Sequence, residues 1–359
     1  MASYLFAGGG TAGHVNPLLA TADRLREREP DARIVVLGTQ EGLERELVPA
    51  SGYELVTIPK LPFPRRPDAA AARFARSWAP TVRRVRALLA ERDVDVVVGF
   101  GGYASAPAYR AAHLAHVPLA IHESNARPGM ANRLGARWSR HVGLTYEPTS
   151  LPGTVVGMPL RRSITTLDRA GLRATARATL GLDADRPTLL VTGGSQGARS
   201  INRAVVEGAQ AIVDAGWQVL HLSGGRQTDF APASVEHYVA VEYLDGMHLA
   251  YAAADLVLCR AGSLTVSELM AVGLPAVYVP LPFGNGEQAL NAHDQVAAGG
   301  AMLVDDGLLA SGWVHDVLVP LLADHDRVAA MAASTRGSGI VDGDDRMCDL
   351  LHDAMEQTR

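Results

Sequence analysis

Four times along this 359-residue chain, a short apolar run ends in small and polar residues suited to holding a phosphate or a sugar. The first cluster is Gly8-Gly9-Gly10-Thr11-Ala12-Gly13-His14, followed by Asn16-Pro17 and an apolar-periodic stretch through Leu18, Leu19, Ala22 and Leu25. Asn16 and Pro17 suit an N-cap and first helical position, so a helix is expected to start there. Glycines let a backbone approach a ligand closely, and a helix N-terminus offers unpaired N–H groups to an anion. The second cluster runs Gly99-Phe100-Gly101-Gly102-Tyr103-Ala104-Ser105, and the third is Gly193-Gly194-Ser195-Gln196-Gly197-Ala198-Arg199. The third lacks the Gly-Lys-Ser/Thr ending of a nucleotide-hydrolysing loop. The fourth, residues 259 to 268, reads CRAGSLTVSE.

Side chains that do chemistry cluster at the same places. His14, at the mouth of the first helix, is either a general base or, as an imidazolium, an anion ligand. Thr265 and Glu268 match a reciprocal capping box, and an exposed carboxylate at Glu268 would equally chelate two ribose hydroxyls. Gly284-Asn285-Gly286-Glu287-Gln288 with Asn291 either starts a helix or supplies amide and carboxylate groups to sugar hydroxyls. His122 reads as a core histidine, with Glu123 and Asn125 after it on one polar loop. Residues 8 to 13 also match GxGxxG, but a dinucleotide site needs an acid at the tip of the second strand. That strand ends Leu37-Gly38-Thr39-Gln40, with Glu41 expected in the next helix.

The elements that position these loops are legible as alternating strands and helices. Strands are expected at residues 4–7, 34–37, 55–58, 94–98 and 119–122, and again at 188–192, 218–222, 239–241, 256–258, 276–279 and 302–304. That alternation implies two doubly wound α/β domains with parallel sheets, whose ligands sit beyond the carboxyl ends of strands. The chain is too long for one ordinary core. Gly157 and Pro159 interrupt both periodicities, placing the boundary near residue 160.

Composition narrows the function classes. A net charge of -5 disfavours a general nucleic-acid binder. Cys259 and Cys348 are the only cysteines and support neither a disulfide scaffold nor a zinc site. With no signal-like N-terminus and no run of about 18 apolar residues, the chain is expected neither to span a membrane nor to be exported. One segment departs from the acidic average: residues 60–92 carry Lys60, Arg65, Arg66, Arg73, Arg76, Arg83, Arg84, Arg86 and Arg92 against Asp68 and Glu91. Within it Phe74, Trp78, Val82, Val85 and Leu89 fall at helical spacing, as either a core stripe or a basic, membrane-facing one.

Taken in order, GGGTAGH, GFGGYAS, HESN, GMPLR, GGSQGA, RAGSLTVSE and GNGEQALNA resemble the signature blocks of the MurG-type peptidoglycan glycosyltransferase family across nearly the whole chain. The resemblance implies a GT-B fold, two Rossmann-like domains facing a central cleft. Residues 1–160 would be the acceptor and membrane-side domain, with a C-terminal helix near 341–359 packed back on it, and 161–340 the UDP-sugar donor domain. It implies transfer of N-acetylglucosamine from UDP-N-acetylglucosamine to the 4-hydroxyl of an undecaprenyl-diphosphate-linked muramyl-pentapeptide, with inversion and no cofactor or essential metal. The alternatives are an isomerase of the same fold, such as a UDP-N-acetylglucosamine 2-epimerase, another lipid glycosyltransferase, or a nucleotide-sugar sensor.

By matching position, the resemblance places Leu244 on uracil and Glu268 on ribose. Ser195 and the backbone of Ser263, Leu264 and Thr265, leading into Val266 and Ser267, take the diphosphate, and Arg161 at the hinge reaches the same phosphates. Gln288 and Asn125 read the transferred sugar, Thr11, Ala12 and Gly13 close over it, and His14 is the candidate base. The chain departs from the family at Ala12, where Gly is frequent, at Ser124, where Gln is frequent, and in its less basic GNGEQ block. A lipid-linked acceptor and the basic segment together imply peripheral attachment to the anionic cytoplasmic face of a bacterial membrane.

Overall fold

A computed structural model describes residues 1–359 apart from 65, 67, 148, 226–229, 310–311 and 357–359. It divides into two compact units, one formed by Met1–Arg161 with Val341–Arg359 and the other by Arg162–Ile340.

Unit 1 holds strands β1 Ser3–Ala7, β2 Arg33–Thr39, β3 Glu54–Ile58, β4 Val96–Gly99, β5 Leu119–Glu123, β6 His141–Leu144 and β7 Thr154–Val155. Helices α1 Ala12–Arg28, α2 Glu44–Ala50, α3 Ala69–Glu91, α4 Ser105–Ala115 and α5 Met130–Gly135 connect them. Unit 2 begins with helices α6 Arg162–Thr165 and α7 Arg169–Thr179. Its strands are β8 Thr188–Thr192, β9 Gln218–Leu222, β10 Tyr238–Val241, β11 Leu256–Cys259, β12 Ala276–Tyr278 and β13 Ala301–Leu303. Between them lie α8 Arg199–Glu207, α9 Ala209–Asp214, α10 Met247–Ala253, α11 Ser263–Ala271, α12 Glu287–Asn291 and α13 His293–Ala297. Helices α14 Val319–Ala323 and α15 His325–Thr335 finish unit 2, and α16 Gly343–Glu356 returns the chain to unit 1.

Both sheets are parallel and share one winding: β3-β2-β1-β4-β5-β6-β7 in unit 1 and β10-β9-β8-β11-β12-β13 in unit 2. The order reverses beside the first strand of each sheet, where β1 pairs with β2 and β4, and β8 pairs with β9 and β11. Outgoing chains diverge at such a switch point and open a crevice past the carboxyl ends of the strands. The four glycine-bearing clusters follow β1, β4, β8 and β11, the strands that flank the two switch points. The strands are mainly apolar because both sheet faces are covered by helices, with Arg33, Glu54 and His141 confined to strand ends. Leu5 and Ala7 belong to one core layer of unit 1, while Tyr4 and Phe6 belong to the other.

The second of those layers includes Met347, Cys348 and Leu351 of α16. Arg24 reaches Asp345 at 2.6 Å and Arg28 reaches Asp349 at 2.7 Å, stitching α16 to α1 along its exposed edge. Strands β6 and β7 are absent from the sequence reading. The boundary segment around Gly157 follows β7 directly.

Helix α3 resolves its own ambiguity by halves. Val82, Val85, Leu88 and Leu89 are buried in the core, so the C-terminal half of the stripe is structural. Toward the N-terminus, Phe74 and Trp78 are only half-buried and close an aromatic cluster with Phe63, at ring separations of 5.4, 6.3 and 5.3 Å. Arg66, Arg73, Arg76, Arg83, Arg84 and Arg86 are exposed around it, whereas Arg92 pairs with Glu54 at 2.5 Å. Arg65 lies outside the described residues.

Candidate functional site

Unit 1 builds its site from two loops packed backbone to backbone. Gly102 has φ +82°, and a Cβ there would fall on the carbonyl oxygen of Gly9, so no other residue fits without opening the loops. Ser105 ties them together, its hydroxyl donating to the carbonyls of Ala7 at 2.9 Å and Gly101 at 2.6 Å. Helix α1 begins at Ala12 with the extended Thr11 as N-cap, not at Asn16-Pro17 as the sequence suggested. Pro17 lies in the second turn, where the missing N–H would have met the Gly13 carbonyl. The earlier start puts Thr11, Ala12, Gly13 and His14 at the first turn, where helix geometry leaves the leading N–H groups unpaired, while the His14 N–H donates to the Thr11 carbonyl at 3.1 Å.

His14 sits beneath that turn, half-buried, with Nδ1 3.4 Å from Thr11 Oγ1. A Cβ on Gly101 would stand 3.1 Å from its Cδ2 and Nε2, so the ring lies against the second glycine loop. Burial lowers the His14 pKa below the usual histidine value, opposed by the Glu44 carboxylate and a hydrogen bond with the Gly9 backbone. That shift favours the neutral imidazole, the form a general base requires.

Glu44 is the residue the sequence reading missed. The acid at the tip of β2 is not Glu41, which precedes α2, but Glu44 at the start of that helix, fully buried. Its Oε1 accepts from the Thr39 backbone N–H and hydroxyl, both at 2.8 Å, and its Oε2 from the Gly10 N–H at 2.7 Å. A Cβ on Gly9, Gly38 or Gly42 would strike this side chain. Those three glycines, flanking an acid, are the signal that would have found it. With its oxygens spent on the protein's own backbone, Glu44 does not act as a ribose-binding acid of a dinucleotide fold.

The HESN loop is similarly self-satisfied. His122 is buried, its Nε2 2.9 Å from the Gly157 carbonyl, and desolvation pushes its pKa down to about 4. Glu123 is buried as well and accepts from the Asn125 N–H at 2.9 Å, the Gly129 N–H at 3.0 Å and Asn132 Nδ2 at 2.9 Å. Contrary to the sequence reading, Glu123 does not join Asn125 as a ligand group; it folds the loop that carries the half-buried Asn125. Arg161 is exposed at the end of the main stretch of unit 1.

Unit 2 repeats the design with different chemistry. Ser195 lies half-buried in the loop between β8 and α8, which the Gly225 N–H braces by donating to the Ser195 carbonyl at 3.2 Å. After β11, helix α11 begins at Ser263 with Gly262 as N-cap. The capping box expected from Thr265 and Glu268 therefore does not form, because Thr265 is already the third helical residue and Glu268 the sixth. A Cβ on Gly262 would meet none of the described residues within 4 Å, so the space beside the N-cap of α11, ahead of Ser263, Leu264 and Thr265, is open. Val266 and Glu268 are buried and Ser267 is half-buried.

The Glu268 carboxylate is 5% exposed, and its Oε2 accepts from the Tyr251 hydroxyl at 2.7 Å. Leu244 is half-buried in the segment entering α10. Gln288 opens α12, its Oε1 accepting from the Leu281 N–H at 2.9 Å, which fixes the orientation of the amide. Unit 2 thus gathers Ser195 and Ser263 to Glu268 at its switch point, with Leu244 and Gln288 on neighbouring loops. Among the described residues no cluster of three or more His, Cys, Asp or Glu is suited to a metal ion, and no helix is long and apolar enough to cross a membrane.

Comparison with known proteins matches this architecture end to end. Residues 4–144 fit the glycosyltransferase family 28 N-terminal domain and residues 188–347 its C-terminal domain. A UDP-N-acetylglucosamine--N-acetylmuramyl-(pentapeptide) pyrophosphoryl-undecaprenol N-acetylglucosamine transferase from Clavibacter michiganensis is 59% identical over 99% of this chain and 97% of its own. The protein of the same name from Leifsonia xyli is 56% identical over 98% of both chains. Among solved structures, Acinetobacter baumannii MurG superposes with a TM-score of 0.76 at 26% identity, covering 98% of this chain and 100% of that one. A UDP-GlcNAc 2-epimerase from Neisseria meningitidis bound to UDP-GlcNAc, at 14% identity and TM-score 0.67 over 98% of this chain and 100% of its own, shares the GT-B fold alone. The chain belongs to glycosyltransferase family 28 and, within it, to the MurG-type N-acetylglucosaminyltransferases.

Proposed function

We propose that this enzyme moves N-acetylglucosamine from UDP-N-acetylglucosamine to the 4-hydroxyl of the N-acetylmuramyl-pentapeptide on undecaprenyl diphosphate, with inversion, giving the disaccharide lipid of peptidoglycan synthesis. The observation that carries the reading is full-length identity of 59% to a relative bearing that activity in its name. Unit 2 takes the donor: Leu244 meets uracil, Glu268 the ribose, and Ser195 with the first-turn N–H groups of α11, Ser263 to Thr265, the diphosphate. Arg161 adds a positive charge to those phosphates, and Gln288 and Asn125 read the sugar.

In the reaction, the acceptor oxygen attacks C1 of N-acetylglucosamine while His14 takes its proton. The bond from C1 to the phosphate oxygen breaks, and UDP leaves with the electron pair. Negative charge develops on the leaving diphosphate, where helix N–H groups already point and need no reorganisation. The shift of His14 toward the neutral imidazole and its place on the first turn of α1 beside Thr11, Ala12 and Gly13 support its role as base.

Incubation of pure protein with labelled UDP-N-acetylglucosamine, with and without the lipid-linked acceptor, tests the proposal. UDP release that requires the acceptor is expected. Acceptor-independent formation of the 2-epimer would replace it with the isomerase reading.

The lipid-bearing acceptor places the enzyme at the cytoplasmic face of the membrane, held peripherally through residues 60–92. The half-buried cluster of Phe63, Phe74 and Trp78, ringed by exposed Arg66, Arg73 and Arg76, supports this attachment. Sedimentation with anionic but not neutral vesicles is the expected result, and equal binding to both would remove it.

A further inference from the structure

We infer that Tyr251 is the positioning residue for the donor's ribose, acting through the carboxylate of Glu268. This rests on the reading of Glu268 as the ribose ligand and extends it to a residue buried behind that carboxylate, 1% exposed.

A glutamate in the second turn of a helix has three side-chain torsions, and a carboxylate that wanders among rotamers loses entropy each time it binds a diol. Two restraints remove that freedom here. The Tyr251 hydroxyl donates to Glu268 Oε2 at 2.7 Å, from a ring fixed by burial on α10. Each carboxylate oxygen accepts more than one hydrogen bond, so this contact orients the group without using up its capacity for ribose hydroxyls. Burial and the adjacent carboxylate hold the Tyr251 pKa well above its ordinary value, so the hydroxyl remains a donor wherever the enzyme works.

The second restraint fixes the spacing between the two helices. Arg169 of α7 donates to the carbonyls of Tyr251 at 3.1 Å and Ala254 at 2.7 Å on α10. The same guanidinium donates to those of Val272 and Gly273, both at 3.3 Å, at the end of α11. One planar cation therefore clamps the carboxyl ends of the two helices that carry the tyrosine and the glutamate. Helix α10 also starts at Met247 with Gly246 as N-cap, directly after the segment bearing Leu244, so one element carries the proposed uracil contact at its entry and the ribose support on its body.

Calorimetric titration of the full chain with UDP and with 2′,3′-dideoxy-UDP, which lacks both ribose hydroxyls, separates positioning from general damage. Wild type is expected to prefer UDP. Tyr251→Phe is expected to weaken UDP binding about tenfold, the size of one hydrogen bond to a charged group. It should leave the affinity for dideoxy-UDP at the wild-type value, with the catalytic loss appearing in KM for the sugar nucleotide. Added to Glu268→Ala, it should cost nothing further. Equal losses for the two nucleotides would overturn the inference in favour of a packing role.

Unchanged discrimination in Tyr251→Phe, alongside its loss in Glu268→Ala, would overturn the inference and spare the ribose reading. Unchanged discrimination in Glu268→Ala would overturn both. If the phenylalanine variant does not fold, Glu268→Asp decides. It keeps the charge but withdraws it by one methylene from the tyrosine, and is expected to lose the preference for UDP; keeping it would overturn the inference.

Discussion

The two units wind their sheets in the same order and place glycine loops at the same switch points, yet they use buried acids in opposite ways. In unit 1, Glu44 and Glu123 turn inward. The first accepts from Gly10 and Thr39, and the second from Asn125, Gly129 and Asn132. In unit 2, Glu268 is held from behind by Tyr251, on a helix with open space beside its N-cap. A carboxylate that accepts backbone N–H groups is scaffold. The one oriented by a side-chain hydroxyl is the one we propose for the ribose.

The role proposed for His14 as base gives the largest expected effect. His14→Ala should lower kcat by about 10²- to 10⁴-fold, the usual contribution of a general base, while UDP affinity measured by calorimetry stays at the wild-type value. A variant that retains its turnover would place the proton transfer elsewhere. Next in size, Glu268→Ala should raise KM for UDP-N-acetylglucosamine by about 10- to 100-fold, from the loss of hydrogen bonds to a charged group. Its thermal midpoint should also fall, because the buried Tyr251 hydroxyl loses its acceptor, and a drop in midpoint with KM unchanged would make Glu268 scaffold like its counterparts in unit 1. Smaller again, Glu123→Ala should destabilise the protein by about 1–3 kcal/mol, because it strands buried donors. Donor affinity should survive, and denaturant unfolding beside UDP titration reads both quantities.

Much of this was legible before any coordinates. The apolar runs at 188–192 and 218–222 are the observed strands β8 and β9 to the residue, because a strand covered on both faces is mainly apolar. The loops after them carry the candidate residues for the same topological reason. What escaped was decided by contacts distant in sequence or by backbone torsions. The Thr-x-x-Glu pattern at 265–268 looks like a cap, but the helix starts wherever the preceding backbone leaves the extended region, and Gly262 does so three residues earlier. Asn16-Pro17 misled for the same reason, with Thr11 ending the extended run. Glu44 escaped because its partner Gly10 lies 34 residues away. Strands β6 and β7, at the edge of their sheet, carry His141, Gly143 and Thr154 in runs of four and two residues, which leaves no continuous apolar run to read.

The subtlest prediction concerns how the scaffold of unit 1 tunes its histidine. Three groups act on His14: its burial lowers the pKa, while the Glu44 carboxylate on α2 and the Gly9 backbone raise it. The neighbouring His122 on β5 contributes no positive charge near neutrality, since its own pKa is pushed down to about 4. As a base His14 works only when neutral, so kcat should fall as pH drops through the His14 pKa, and that acid limb should lie below the ordinary histidine value. Glu44→Gln keeps the side chain's size and an acceptor oxygen but removes the charge that favours the imidazolium. The acid limb should then move to still lower pH, and kcat at neutral pH should change little except for the weaker basicity of His14. A kcat–pH profile of the two proteins at saturating donor measures the displacement. A limb that stays in place, or moves upward, would reduce Glu44 to holding Gly10 and Thr39.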